Sequence, residues 1–216
     1  MSSSRRSFLG ALGSLLGVGV VGHELRFRDA PAPTGAWDIS WLDALTGKHK
    51  QIFTAPSLVT HLPLHVVVNY LDAFEEVYGL RFPDVNTVVG ITQPLFPLNV
   101  NDATWSKYDV GRRWQIKDPK TGELATSNIF MENVPAGPGK VVGIKPLVAR
   151  GTVFYQCNNA LGGIARQLAR ELGKASDWQD IRADLIAGFL PRVKLVPAHT
   201  FMLGLCQERG FTYESI

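Results

Sequence analysis

The stretch from residue 152 to residue 172 constrains this chain most, because a strand-forming run passes directly into a helix with a cysteine at the joint. Thr152-Val-Phe-Tyr-Gln-Cys157 is rich in β-branched and aromatic residues, which suit a pleated strand. Behind Cys157-Asn158-Asn159, the side chains of Leu161, Ile164, Leu168 and Leu172 recur near one helical face. In an open α/β sheet, the ends of strands that lead into helices form the edge where ligands and chemistry collect. Cys157 is therefore either a working thiol at that edge or core packing.

The same alternation of strand and helix runs through the chain. Residues 49–56 read as a strand closed by Pro56. Residues 64–78 carry Val67, Tyr70, Leu71, Phe74, Val77 and Tyr78 at helical spacing, with Pro63 in the first turn and Gly79 as a C-terminal cap. Residues 84–92 are apolar enough for a central strand, stopped by Pro94 and Pro97. Asn101-Asp102 caps a short helix that runs through Lys107. Later come a helix over 177–190 stopped at Pro191, a short strand over 193–197, a helix over 200–209 capped by Gly210, and an edge strand over 211–213. Alternation of this kind predicts a single α/β domain with a central, mostly parallel sheet of about five strands and helices on both faces. Residues 111–143 are polar and rich in glycine and proline, with a turn at Asp118-Pro-Lys-Thr-Gly122. They read as an excursion from the core, a hairpin that covers the site or mediates association.

Bulk properties narrow the class of function. A chain of 216 residues, 45% hydrophobic and 19% charged, is globular and long enough to bury a core. Its net charge of +3 is mild, and no basic stripe with interleaved aromatics is present, which argues against a nucleic-acid partner. Two cysteines exclude a disulfide-rich scaffold.

Ser4-Arg5-Arg6-Ser7-Phe8-Leu9-Gly10 resembles a twin-arginine export signal, with Arg5, Arg6, Phe8 and Leu9 in the signal order. The apolar run behind it, residues 8–22, is broken only by Ser14 and is shorter than the roughly 20 residues of a membrane span. Residues 1–22 thus read as a signal peptide or anchor, residues 23–36 as a proline- and alanine-containing linker, and residues 37–216 as the folded domain. Ala30-Pro31-Ala32 has the small-x-small form of a cleavage site, but Pro33 hinders a peptidase, so an uncleaved signal acting as a membrane tether stands beside cleavage. The expected location is the periplasm or another exported compartment, with or without a membrane anchor. A Cys157–Cys206 disulfide is an open alternative in such an oxidising place.

The candidate site gathers around Cys157. A thiol beside a helix N-terminus meets the positive end of the helix dipole, and Asn158 and Asn159 offer hydrogen bonds to a bound sulfur species or anion. Cys206 lies inside the last predicted long helix, where packing competes with a role as resolving thiol. His199 follows Val-Pro-Ala at the end of a strand, so it shares the edge with Cys157 and is a candidate base for the thiol. His61 and His65, four residues apart at a helix start, serve either as ordinary capping groups or, with Cys157 and His199, as a small-ligand or transition-metal site. No His-Glu-x-x-His pattern is present, and Gly162-Gly163 lacks the Walker lysine and the spaced glycines of a dinucleotide site. Asp43, Asp72, Glu75 and Glu76 read as solvated or capping charges. No bound cofactor is expected.

Three segments taken together resemble the DsrE/DsrF-like family: Val153-Phe-Tyr-Gln-Cys157-Asn-Asn-Ala-Leu, Leu190-Pro-x-Val-x-Leu-Val-Pro-Ala198, and Gln207-Glu-Arg-Gly-Phe-Thr-Tyr213. Many members carry Cys-x-Asn/Ser-x-Leu, Val-Pro-Ala-Gly and Gln-x-x-Gly-Tyr-x-Tyr in those places. The resemblance implies a flavodoxin-like α/β domain that assembles into homo-oligomers. It also implies sulfur bound or passed as a persulfide on Cys157, with a sulfur donor or acceptor protein as partner. The chain departs from the pattern at His199, where many relatives have glycine, in residues 111–143, and in carrying an export signal.

Overall fold

Val85–Ile91 is buried along its whole length, and this strand is the middle of the molecule. Its sequence, Val-Asn-Thr-Val-Val-Gly-Ile, lacks the polar alternation of a half-exposed strand, as expected where helices cover both faces. The structure is a computed structural model and describes residues 37–216 apart from 59, 60, 133, 138 and 139. The export signal and linker, including Arg5, Arg6, Phe8 and Leu9, lie outside the described residues.

Five parallel strands form the sheet: β1 (His49–Thr54), β2 (Val85–Ile91), β5 (Val153–Cys157), β6 (Lys194–Val196) and β7 (Thr212–Ser215), in the order β6-β5-β2-β1-β7. The other elements are α1 (Ser40–Asp43), α2 (Leu62–Tyr78), α3 (Asp102–Lys107), α4 (Val110–Arg113), the antiparallel hairpin β3 (Val134–Gly137) and β4 (Lys140–Val142), α5 (Ile144–Ala149), α6 (Asn158–Glu171), α7 (Trp178–Ala187) and α8 (His199–Glu208). The result is the single α/β domain expected from the alternation, a parallel sheet flanked by helices, and it is consistent with a flavodoxin-like fold.

The two faces of the sheet are covered unequally. On one, α2 contributes Leu64, Val67, Val68 and Leu71, and α6 contributes Leu161, Ile164, Ala165 and Leu168, against Phe53, Val89 and Phe154. These are the i, i+3, i+4, i+7 positions of amphipathic helices. On the other, α1 and α8 bring Trp41, Leu42, Met202 and Cys206 against Ile52, Val88, Tyr155 and Val196. Because β6 and β7 are the two edge strands, the connection through α8 crosses the whole width of that second face.

Several ends follow from local chemistry. Gly79 closes α2 in the left-handed region at φ 67°, its N–H bonding to the carbonyls of Glu75 and Phe74. Asn101 caps α3, its Oδ1 accepting from the Thr104 N–H. Leu172 is 47% exposed rather than on the buried face of α6, because the helix stops at Glu171 and Leu172 is only its C-terminal cap. The helix expected to reach residue 190 stops at Ala187. Gly188 there packs so tightly on Thr104 that a β-carbon would lie 1.9 Å from its Oγ1.

Residues 111–143 are less of an excursion than their polarity implies. Ile116, Ala125 and Phe130 are buried in the larger apolar cluster, which pins the segment to the domain. At Gly111 a β-carbon would stand 1.9 Å from the carbonyl oxygen of Ala125, so the backbones meet where only glycine fits. The expected hairpin is present as β3 and β4, and the turn closes through Gly122 at φ 76°, whose N–H bonds to the Asp118 carbonyl.

Candidate functional site

Cys157 is the last residue of β5 and the N-cap of α6. Its Sγ accepts a long hydrogen bond from the Ala160 N–H at 3.5 Å, so the first turn of the helix offers a donor to sulfur. The residue is 5% exposed, yet it belongs to neither apolar cluster. The strand end is held from behind by Gln156, whose Nε2 donates to the Cys157 carbonyl while its Oε1 accepts from Asn99 Nδ2. Asn158 is occupied: its Oδ1 accepts from both Nε and Nη2 of Arg182, which ties α7 to the start of α6. Asn159 is exposed beside them.

Two residues before Cys157, and on the same face of β5, stands Tyr155, which is fully buried. Its Oη lies 2.8 Å from His199 Nδ1, at the start of α8. Gly90 in the neighbouring strand makes this possible. A β-carbon there would fall 2.5 Å from Tyr155 Oη and 2.9 Å from His199 Cε1. Burial is the main force that raises the Tyr155 pKa, followed by the nearby thiols of Cys206 and Cys157 and by Tyr213. The phenol thus keeps its proton, and its hydroxyl shares one hydrogen bond with Nδ1 in which the tautomer of His199 sets which atom donates. Burial lowers the pKa of His199, so its ring is neutral at pH 7.

This pair is what the sequence reading missed. Two signals pointed toward it: Tyr155 shares strand parity with Cys157, and a lone glycine interrupts the buried strand β2. Neither identifies His199 as the partner without the fold.

Cys206 lies on α8, in the helical layer that covers one face of the sheet. It is fully buried in the smaller cluster with Trp41, Tyr155, Val196 and Met202. Burial pushes its thiol pKa up to about 12, against an opposing pull from Arg209. Both cysteines are free, and no disulfide joins them.

His61 and His65 belong to another neighbourhood. His61 precedes α2 without any side-chain capping bond, and its ring packs on Phe130 with centroids 5.0 Å apart. Burial lowers its pKa, and a hydrogen bond to the Ile129 backbone pulls the other way. Its Nε2 is enclosed and has no partner among the described residues. His65 follows one turn along and is half-buried. Because α2 covers one face of the sheet and α8 the other, the two helical histidines are not gathered with the Tyr155–His199 pair. Among the described residues, no group of three or more His, Cys, Asp or Glu side chains is placed to hold a metal ion. No hydrogen bond links His199 to Cys157. Nδ1 of His199 is engaged by Tyr155, so its hydrogen bond runs to that phenol rather than to the Cys157 thiol.

No protein-family profile matches the chain. No curated protein matches it either. A solved structure of a protein of unknown function from Methanobacterium thermoautotrophicum is similar to it over 78% of this chain and 100% of its own length, at 14% identity and a TM-score of 0.39.

Proposed function

We propose that the protein is an exported, DsrE-like sulfur-handling protein that binds or transfers sulfur on Cys157. The observation that carries the reading is the position of Cys157: it ends a strand at the carboxyl edge, caps a helix of 14 residues, and receives an N–H from that helix on its sulfur. Arg182, held on Asn158, adds a cation to the same helix start. An anionic sulfur species is favoured where helix N–H groups and a guanidinium converge.

The step is a simple exchange. The Cys157 thiol loses its proton to solvent, and the thiolate attacks the outer sulfur of thiosulfate. The S–S bond breaks, sulfite leaves with its electron pair, and a persulfide remains on Cys157. A second thiolate, on an acceptor protein, takes the outer sulfur and regenerates the thiolate. Export rests on the Arg5-Arg6-x-Phe8-Leu9 motif, and among the described residues no helix is long and apolar enough to cross a membrane. Assembly into a homo-oligomer is part of the same proposal, supported by β7, an edge strand exposed at all four residues.

Intact-mass measurement after incubation with thiosulfate tests the sulfur step. The expected result is the gain of one sulfur atom in the parent and in Cys206→Ser, and no gain in Cys157→Ser. An unmodified parent overturns the reading. A second reading, a small-ligand module without turnover at the same edge, is favoured by the 5% exposure of Cys157 and by the closed Tyr155–His199 pair. It predicts an unmodified thiol together with saturable ligand binding sensitive to His199→Gln.

A further inference from the structure

The edge of the sheet opposite Cys157 carries a cavity of about 410 Å³ beneath the starts of β5 and β6. Its size falls within the roughly 300–1,000 Å³ range of small-molecule sites. Trp41, Leu45, Phe82, Val148 and Phe154 build apolar walls. Gly151 lets Phe82 form its part, since a β-carbon there would sit 2.3 Å from the ring, and at φ 88° glycine is also the residue the backbone prefers.

Two polar groups that line this cavity have no partner among the described residues. Trp41 is 8% exposed, and its Nε1–H is buried without an acceptor among the described residues. The indole N–H is a donor only, so what it lacks is an acceptor. Arg192 lines the cavity at φ 72°, a left-handed conformation that a non-glycine residue adopts at a cost. Arg192 has no ion-pair partner among the described residues. Lys194 lines the same cavity, and its charge is felt by Asp38. Arg192, exposed where it lines the cavity, is thus the cation without an ion-pair partner among the described residues.

An apolar chamber with an unpaired donor and an unpaired guanidinium calls for a ligand with a hydrocarbon or aromatic body and an acceptor-only, anionic end. We propose that this cavity binds a small apolar carboxylic acid, its body against Phe82, Val148 and Phe154 and its carboxylate answered by Arg192 and the Trp41 N–H. A guanidinium matches a carboxylate in charge and in geometry. The proposal does not depend on the sulfur reading: β5 runs from the cavity at Val153 to Cys157 at the far edge, and the two sites share no side chain.

Calorimetric titration of the full chain with phenylbutyrate and with phenylbutanol tests it. The two probes share a body and differ in the anionic end. The acid is expected to bind saturably and about tenfold or more tighter than the alcohol, in keeping with a charge-assisted contact. Arg192→Gly relieves the left-handed backbone while removing the cation. It should erase that preference and leave the weaker alcohol binding in place. Trp41→Phe should weaken the acid by a smaller factor. No saturable binding of the acid, equal affinity for acid and alcohol, or an unchanged preference in Arg192→Gly would each overturn the proposal. Thiosulfate loading of Cys157 read on the same samples keeps failure here separate from failure of the sulfur reading.

Discussion

Cys157 and Cys206 bring the same thiol into two different surroundings, and the contrast separates an edge from a core. Cys157 ends a strand and caps a helix, outside both apolar clusters, with a backbone N–H directed at its sulfur. Cys206 lies inside the smaller cluster, fully buried among Trp41, Val196 and Met202, where burial pushes its thiol up to about 12. Tyr155 stands near both, since each thiol helps to hold the phenolic proton. The carboxyl edge of the sheet and the packing of the smaller cluster therefore meet at one aromatic side chain. Near-equal burial, 5% against 0%, would not have told them apart; the neighbours do.

Serine substitution is the strongest way to break this comparison. At position 206 a hydroxyl enters an apolar cluster with no partner, and the expected loss of stability is about 1–3 kcal/mol. At position 157 serine is itself a favoured N-cap, so Cys157→Ser should stay within about 0.5 kcal/mol of the parent. Urea unfolding of the two variants measures the difference. Equal losses would place both thiols in the core and leave Cys157 without its distinct status.

The second test acts on the residue between them. Tyr155→Phe removes the bond to His199 Nδ1 and leaves a half-buried ring nitrogen unpaired, at an expected cost of about 1 kcal/mol. The His199 resonances should shift in the NMR spectrum while those of His61, on the other side of the sheet, stay in place. Perturbation of both rings would mean that the two histidine neighbourhoods are coupled after all.

Much of this arrangement was legible from residue patterns, and the parts that were not share a cause. The buried stripes of α2 and α6, the fully buried β2, the Asn101 cap and the Gly79 stop all follow from local periodicity and turn chemistry. The face of the sheet that each helix chooses is set by connection topology, so His61 and His199 could be assigned to one edge but not to opposite layers. Residues 111–143 have the sequence of an excursion because their buried anchors, Ile116, Ala125, Phe130 and Val142, follow no period. The Tyr155–His199 contact depends on a notch at Gly90 in a third segment, and that kind of absence becomes visible only when strands are laid side by side.

The pH dependence of stability offers the finest distinction. His199 and His61 both have pKa values lowered by burial, so below the ordinary histidine value of about 6.5 the unfolded chain takes up protons that the folded chain refuses. Stability should therefore be at its plateau above that value and fall as the pH drops below it, flattening only once the folded-state values are passed. At the alkaline end the sign reverses. Between the ordinary thiol value of 9.0 and about 12 the unfolded chain releases the Cys206 proton while the folded chain keeps it, so stability falls as the pH rises through that window. Tyr155, with its pKa raised, adds to the same decline above its ordinary value of 10.0. His199→Gln should shallow the acid limb, and Cys206→Ala should shallow the alkaline limb from its beginning. Both are read by chemical unfolding across a pH series. An alkaline limb unchanged by Cys206→Ala would place that thiol in contact with water, and the contrast between the two cysteines would then rest on Cys157 alone.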